Sequence, residues 1–234
     1  MTRISFVLML FCAVMFAQDN SLFLGLSMGT SRLHFDITSD TLTSQTTEVD
    51  DGEGNISSIT TELRERTINR FNTSTRNYFG AIAGVRSFLQ PELAIRGYME
   101  YEYHPTTIKN SIDGDRNSKY YNLMLGVDGM YYFMRNTNFG ISAFAGVGAV
   151  YSRYDSYLVS AAGEEFKKIG TLGYMANVGV HVDIITHHGI DIGARYLANE
   201  VSKKAGSFAN DVRIDNTAKI LQKPAFFVRY VYQF

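Results

Sequence analysis

The chain has 234 residues and a formal net charge of −1, with 16 Phe, 15 Tyr, 20 Gly, three Pro and no Trp. The length suffices for one domain with a sizeable core. The neutral balance excludes a bulk nucleic-acid binder and an acidic tail, and glycine and aromatics this rich with little proline point to a sheet protein.

Residues 1–17 stand apart. Arg3 gives a positive start, Ile4 to Phe16 is almost wholly apolar, and Ala17 precedes polar "QDN". This is the layout of a secretory signal peptide cut after Ala17. The apolar run falls short of the roughly 20 residues that a spanning helix needs. Phe11 before Cys12 argues against lipid attachment, which requires a small residue there. Cys12 is the only cysteine, so a chain cut after Ala17 carries no disulfide.

The remaining chain alternates rather than running apolar, and eight segments show the two-residue period. Strand one is expected at about 21–35, with Leu22, Leu24, Leu26 and Met28 on one parity. A polar connection of about 37 residues follows at 36–72, in which "ELRERTINRF" reads as either a strand extension above the membrane or a short helix. Strand two lies at about 73–88, with Phe79, Ala81, Ala83 and Val85 against Tyr78, Gly80, Gly84 and Arg86. Strand three, about 92–104, sets Leu93, Ile95, Met99, Tyr101 and Tyr103 against Arg96, Tyr98, Glu100, Glu102 and His104. Strand four, about 119–133, sets Leu123, Leu125, Val127 and Phe133 against Asn122, Gly126 and Asp128. Strand five, about 139–154, sets Ile141, Ala145, Val147 and Tyr151 against Ser142, Gly146 and Ser152. Strand six, about 170–185, sets Leu172, Tyr174, Val178 and Val180 against Asn177, His181 and Asp183. Strand seven, about 189–198, sets Ile190, Ile192 and Tyr196 against Asp191, Gly193 and Arg195. Strand eight, about 219–234, ends in "FFVRYVYQF".

The connections alternate as well. "LQPE", "MRNTN" and "THHG" are short, whereas 36–72, 105–118, 155–168 and 199–218 are longer and polar. Short turns at one end and long loops at the other mark a bacterial outer-membrane barrel. A lipocalin-like soluble barrel would turn the apolar parity inward. It would not need aromatics such as Phe79, Tyr101, Tyr131, Phe133, Tyr174, Tyr196 and Phe226 near the ends of that parity, where they fit membrane-interface girdles. The expected fold is therefore all-β: an eight-stranded antiparallel up-and-down transmembrane β-barrel in the bacterial outer membrane, multi-pass, with both termini periplasmic. In such a barrel the last strand pairs with the first and no edge remains.

The alternating end Phe226, Val228, Tyr230, Tyr232 and Phe234 resembles the C-terminal assembly signal of outer-membrane barrels. The chain as a whole resembles the small eight-stranded family that includes the OmpA transmembrane domain, OmpX and the Opa adhesins. The likeness is one of pattern. It implies outer-membrane lipid and lipopolysaccharide as surroundings, the barrel assembly machinery as a partner, and long loops that face outside and carry adhesion or other contacts with a host or surface ligand. No nucleic acid is expected.

The inward parity carries Arg86, Arg96, Arg195 and Arg229 against Glu100, Glu102, Asp128, Asp183 and Asp191, with His181. Counted from the short turns, Arg96, Asp128, His181, Arg195 and Arg229 lie at similar heights, as one belt. Eight strands leave a lumen just wide enough to be filled by side chains, and charges in such a space should pair. Arg96, Arg195 and Arg229 are expected to bond Glu100, Asp128 and Asp183, forming a plug. A narrow channel for small solutes is the alternative reading. A lipid A-modifying enzyme is the third, but Ser207 has no histidine at short spacing, and His34, His104, His181, His187 and His188 assemble no evident nucleophile and base. No catalytic residue is assigned.

Neither a cofactor nor a metal is expected. Asp51, Glu53, Asn55 and Glu62 match part of a calcium loop but carry Ile56 where glycine is required, and Asp113, Asp115 and Asn117 lack a distal acid because Met124 stands there. The leading function is a non-enzymatic envelope barrel that displays its loops.

Overall fold

A computed structural model describes residues 20–50, 56–72, 76–108, 116–155, 158–159, 165–166, 169–209, 212–222 and 224–234. Residues 1–17, read from the sequence as a signal peptide, and the acidic positions 51, 53, 113 and 115 lie outside these residues. Fourteen strands follow in order: β1 (Asn20–Ser31), β2 (Leu33–Asp50), β3 (Ile56–Asn72), β4 (Arg76–Gln90), β5 (Leu93–Ile108), β6 (Arg116–Arg135), β7 (Gly140–Asp155), β8 (Leu158–Val159), β9 (Glu165–Phe166), β10 (Ile169–Ile185), β11 (His188–Ala198), β12 (Glu200–Ala209), β13 (Val212–Gln222) and β14 (Ala225–Gln233). Eight of them close into a barrel in the order β1-β14-β11-β10-β7-β6-β5-β4, every pair antiparallel.

Closure occurs where the sequence expects it. The terminal strand β14 lies between β1 and β11, with Tyr230 opposite Leu26 on one side and Ile190 on the other. The period-two pattern then sorts the two faces. Leu172, Phe226 and Val147 point outward at 77%, 69% and 68% exposure, while Glu100, Asp128 and Arg229 are fully buried inside. Burial is inverted relative to a soluble barrel: the apolar parity faces out and the charged parity faces in. That is the arrangement a bilayer demands. Tyr131, Phe133, Tyr174, Tyr196 and Phe234 all stand exposed on the outer surface.

The interior is more apolar than the inward parity of Gly, Ser and charge suggests. Phe23, Ile82, Tyr98, Met124, Val150, Met175, Leu197 and Val231 form one buried cluster, and Tyr78, Ala94, Met130, Tyr132, Phe144, Ala225 and Phe227 another. Glycines in the wall admit the rings. A Cβ added at Gly193 would lie 2.6 Å from the Phe227 ring, and one added at Gly29 would lie 2.6 Å from the Tyr78 ring. The short turns lie between β4 and β5, β6 and β7, and β10 and β11. Register shifts at Phe88/Gln90, Tyr132/Met134 and Asp183/Ile185 mark the strand ends beside each.

The main departure from the sequence reading lies beyond the opposite end. Positions 36–72 and 199–218, read as connections, are mostly strand. The chain passes from β1 to β2 through Arg32, from β11 to β12 through Asn199, and from β13 to β14 past Pro224. The result is a second sheet, ordered β12-β13-β2-β3. Its strands are continuations of β11, β14, β1 and β4, four adjacent staves of the barrel. Half the wall thus prolongs itself into an open sheet. Strand eight accordingly splits in two, with 212–222 in the sheet and Ala225–Gln233 in the barrel. The connection 155–168 contains the short β8–β9 hairpin.

Candidate functional site

The charged lumen is where polar chemistry concentrates. Register alone makes some of its pairs. Arg96 on β5 stands opposite Asp128 on β6, His181 on β10 opposite Asp191 on β11, and Asp191 opposite Arg229 on β14. Arg96 donates to Asp128 from Nε at 3.1 Å and from Nη2 at 2.8 Å.

Other bonds cross the barrel. In the ring order β5 and β11 are diametrically opposed, and so are β4 and β10. Arg96 on β5 reaches Asp191 on β11 at 2.8 Å. Arg195 on β11 reaches back to Glu100 on β5 at 2.5 Å and also bonds Glu102. Arg229 on β14 donates to Glu100 Oε2 at 2.6 Å. Arg86 on β4 donates to Asp183 on β10 at 3.1 Å, to the Tyr132 hydroxyl at 2.6 Å, and to Gln233. Both ring nitrogens of His181 face carboxylates, Asp191 at 2.6 Å and Asp183 at 2.9 Å.

All ten lumen residues singled out from the sequence therefore meet in one bonded network. One detail of that reading needs correction: Asp183 pairs with Arg86 rather than with Arg96, Arg195 or Arg229, and Asp191 lies between Arg96 and Arg229. Arg96 stands opposite Asp128, and His181 and Arg229 flank Asp191, which bonds Arg96, so these four lie together as the expected belt has them. The network also extends beyond the belt. From Arg96 to His104 on β5 the network climbs eight residues, about 26 Å at roughly 3.3 Å each.

Aromatic rings cover the guanidinium groups. The Arg229 guanidinium lies 4.1 Å from the Phe227 ring centre and 5.2 Å from that of Tyr98, and Arg96 lies 5.0 Å from that of Phe144. Such contacts favour the cation electrostatically and leave less room for water around it.

Neutral amides lie level with the charges, Asn122 opposite Glu102 and Asn177 opposite Arg195. Asn122 donates to Glu102 at 3.0 Å and to Gln222 at 3.1 Å, and accepts from the Ser152 hydroxyl at 2.7 Å. Asn177 donates to Asp128 at 2.9 Å and Tyr98 at 3.1 Å. Asn122, Ser152, Asn177 and His104 share the inward parity, which was the available signal for them, but parity alone assigned them no partner.

One arrangement was missed. Ser31 Oγ lies 3.1 Å from Nδ1 of His104, whose Nε2 lies 3.1 Å from Glu102. Serine, histidine and carboxylate in this order occur in hydrolytic triads. Here Glu102 is also held by Arg195 and Asn122, the His104 ring stacks on Tyr78 at 4.6 Å between centres, and all three members of the chain are buried. The relay ends inside the lumen network. Among the described residues no group of three or more His, Cys, Asp or Glu side chains is arranged so that it could hold a metal ion.

On the lipid side of the terminal strand, Phe226, Val228, Tyr230 and Phe234 are exposed and Tyr232 is half-buried. Tyr232 packs edge-on against Phe234, with centres 5.0 Å apart, and the Tyr230 hydroxyl lies 2.6 Å from Nδ1 of His188 at the start of β11.

A family model described as Helicobacter outer membrane protein matches residues 80–234. No curated protein matches the chain. Among solved structures, OprG from Pseudomonas aeruginosa is similar at 13% identity and a TM-score of 0.48, over 87% of this chain and 96% of that one. Ail, the attachment invasion locus protein of Yersinia pestis, is similar at 13% identity and a TM-score of 0.37, over 91% and 98%. The outer membrane protease OmpT from Escherichia coli is similar at 10% identity and a TM-score of 0.35, over 90% and 97%.

Proposed function

The chain belongs to the Helicobacter outer membrane protein family, and from that membership we propose that it is a non-enzymatic, non-conducting barrel that holds a rigid β-sheet outside the cell for surface contacts. The observation that carries this reading is the set of bonds across the lumen. Arg96–Asp191 and Arg195–Glu100 tie opposite walls at 2.8 and 2.5 Å. A hydrated ion entering this space would have to displace charge-assisted bonds between fully buried partners. Breaking one such pair leaves an orphan charge at a cost of several kcal/mol.

The same anatomy supports an orientation for the barrel. The short turns near Arg135 and His187, and both termini, lie in the periplasm, and the β12-β13-β2-β3 sheet lies outside. Single cysteines at His187→Cys and Thr46→Cys, labelled on intact cells, should react only at position 46; labelling only at position 187 would reverse the orientation.

Planar-bilayer recording on refolded protein tests the closed lumen. No steady single-channel current is expected. Steady ion-selective currents would replace this reading with that of a narrow channel. Lipid A mass spectra from cells with and without the protein should coincide, as expected if the buried Ser31–His104–Glu102 relay is structural.

A further inference from the structure

The sheet beyond the barrel leaves one long edge open. Among the described residues, β3 pairs with β2 along its whole length, Asn72 opposite His34 through Ile56 opposite Asp50, and has no strand on its other side. The far edge, β12, lies beside β10. β13 reaches only as far as Thr43 on β2, so beyond that residue the β2–β3 hairpin stands as a two-stranded ribbon. Its described side chains from Ser44 to Glu48 and from Thr60 to Ile68 are exposed on both faces. Isolated two-stranded ribbons are marginally stable, and an open edge is a template for another strand.

The charges on this edge select the strand that fits. Thr61, Leu63, Glu65 and Thr67 share one face, and Glu62, Arg64 and Arg66 share the other. Two identical edge strands joined antiparallel in one sheet are related by a two-fold axis through a residue that meets its own copy. Centring on Glu62, Arg64, Glu65 or Arg66 sets that charge against itself. Centring on Leu63 does not. Leu63, 67% exposed, then meets Leu63 of the second copy. Glu62 faces Arg64 and Arg64 faces Glu62, and Thr60 and Thr61 face Arg66 and Glu65. In this register residues 56–70 pair along their full span, and no like charges stand opposed. Directly opposed side chains of opposite charge favour antiparallel pairing, and like charges oppose it.

We propose that the β3 edge is a self-recognition surface that pairs antiparallel with β3 of a second copy about Leu63. Strand β3 runs from the hairpin tip to the barrel, so antiparallel pairing puts the two barrels at opposite ends of the joint sheet. The two copies therefore sit in two facing membranes. Arg64 and Arg66 already flank Asp40, at 2.8 and 3.7 Å. These contacts leave Glu62 free of a described salt bridge and present both arginines, 64% and 62% exposed, at the edge.

This inference rests on the display of the sheet outside the cell. Its test uses full-length mature protein refolded into two dye-labelled populations of phosphatidylcholine vesicles, with tethering read as energy transfer between them. Wild-type vesicles should tether. Glu62→Arg vesicles should lose tethering among themselves, because the introduced guanidinium would then face Arg64 of the other copy. Arg64→Glu vesicles should lose it for the mirror reason. Mixing the two variant populations should restore it, since each reversed charge again meets its opposite. Heat-modifiable migration on gels confirms a folded barrel in every sample. Wild-type vesicles that stay apart, single reversals that tether like wild type, or a mixture of folded variants that fails to tether would each overturn the proposal. The bilayer recording above is independent of all three outcomes, so the lumen reading can stand or fall separately.

Discussion

In the barrel, Leu172 and Phe226 stand exposed on the outer face while Glu100, Arg195 and Arg229 are buried within. In the sheet that continues the same wall, Glu62, Arg64, Glu65 and Arg66 stand in the open. The strands of one region continue those of the other, but different forces hold them. The barrel closes every backbone edge and encloses its ion pairs, where an unpaired charge costs most. The sheet has an open edge, and its described ion pairs are solvated, where each contributes about 0–1 kcal/mol. A bilayer cannot satisfy an exposed strand edge, whereas water can. That difference sets where the chain must be closed and where it can remain open.

The largest test of this contrast is closure itself. Deleting Phe234, or substituting Tyr232→Asp, attacks the strand that seals β1 to β11. Either change should prevent insertion and leave the protein in the periplasm; normal amounts of the heat-modifiable folded band in outer-membrane fractions would show that the terminal strand is not needed for assembly.

Next in size is the loss of one buried carboxylate. Glu100→Ala removes the shared acceptor of Arg195 and Arg229. The expected loss is about 3–5 kcal/mol of unfolding free energy in a dry site, seen as a lower urea midpoint. A midpoint equal to wild type would mean that water already screens the lumen charges.

Overpacking the wall should cost less. Gly193→Val drives a side chain into the Phe227 ring, and insertions of this kind typically cost about 1–3 kcal/mol. The Phe227 ring covers Arg229 and Arg195, so the substitution also disturbs the network. Thermal unfolding would register the shift; an unchanged midpoint would show that the ring can turn aside.

The smallest effect belongs to the sheet. Arg64→Ala breaks the exposed bond to Asp40 and should change stability by less than about 1 kcal/mol. A loss as large as that of Glu100→Ala would contradict the distinction between the regions.

The eight staves were legible because lipid on one side and charge on the other impose a strict two-residue period, clearest at Arg96 to His104. Of the four sheet strands, the run from Glu62 to Phe71 in β3 was open to a strand reading, and most of the rest was not. In the stretch from Leu33 to Asp50 only the start alternates, Leu33, Phe35 and Ile37 against His34, Asp36 and Thr38; beyond it Thr and Ser fall on both parities, and pairing with β3 and β13 makes it strand. The ten lumen residues were legible from parity and charge. Their partners were legible in part: Arg96 does take Asp128, and Arg195 and Arg229 do take Glu100, but the remaining partners depend on which heights face each other across the barrel, which strand stagger sets. Arg96 finds Asp191, and Arg86 finds Asp183, only once the barrel has closed. The link from Ser31 to His104 was hidden for the same reason, since 73 positions separate them.

The most direct test of the cross-lumen account is a double-mutant cycle on Glu100 and Arg195, read by urea unfolding of refolded protein. Glu100→Ala and Arg195→Ala should each be strongly destabilising, because each strands a buried charge. The double variant strands fewer, so it should lose less than the sum of the two by more than about 1 kcal/mol, as coupled neighbours do. Additive losses, within about 0.5 kcal/mol, would contradict the account and mean that the two walls are not held together through this pair.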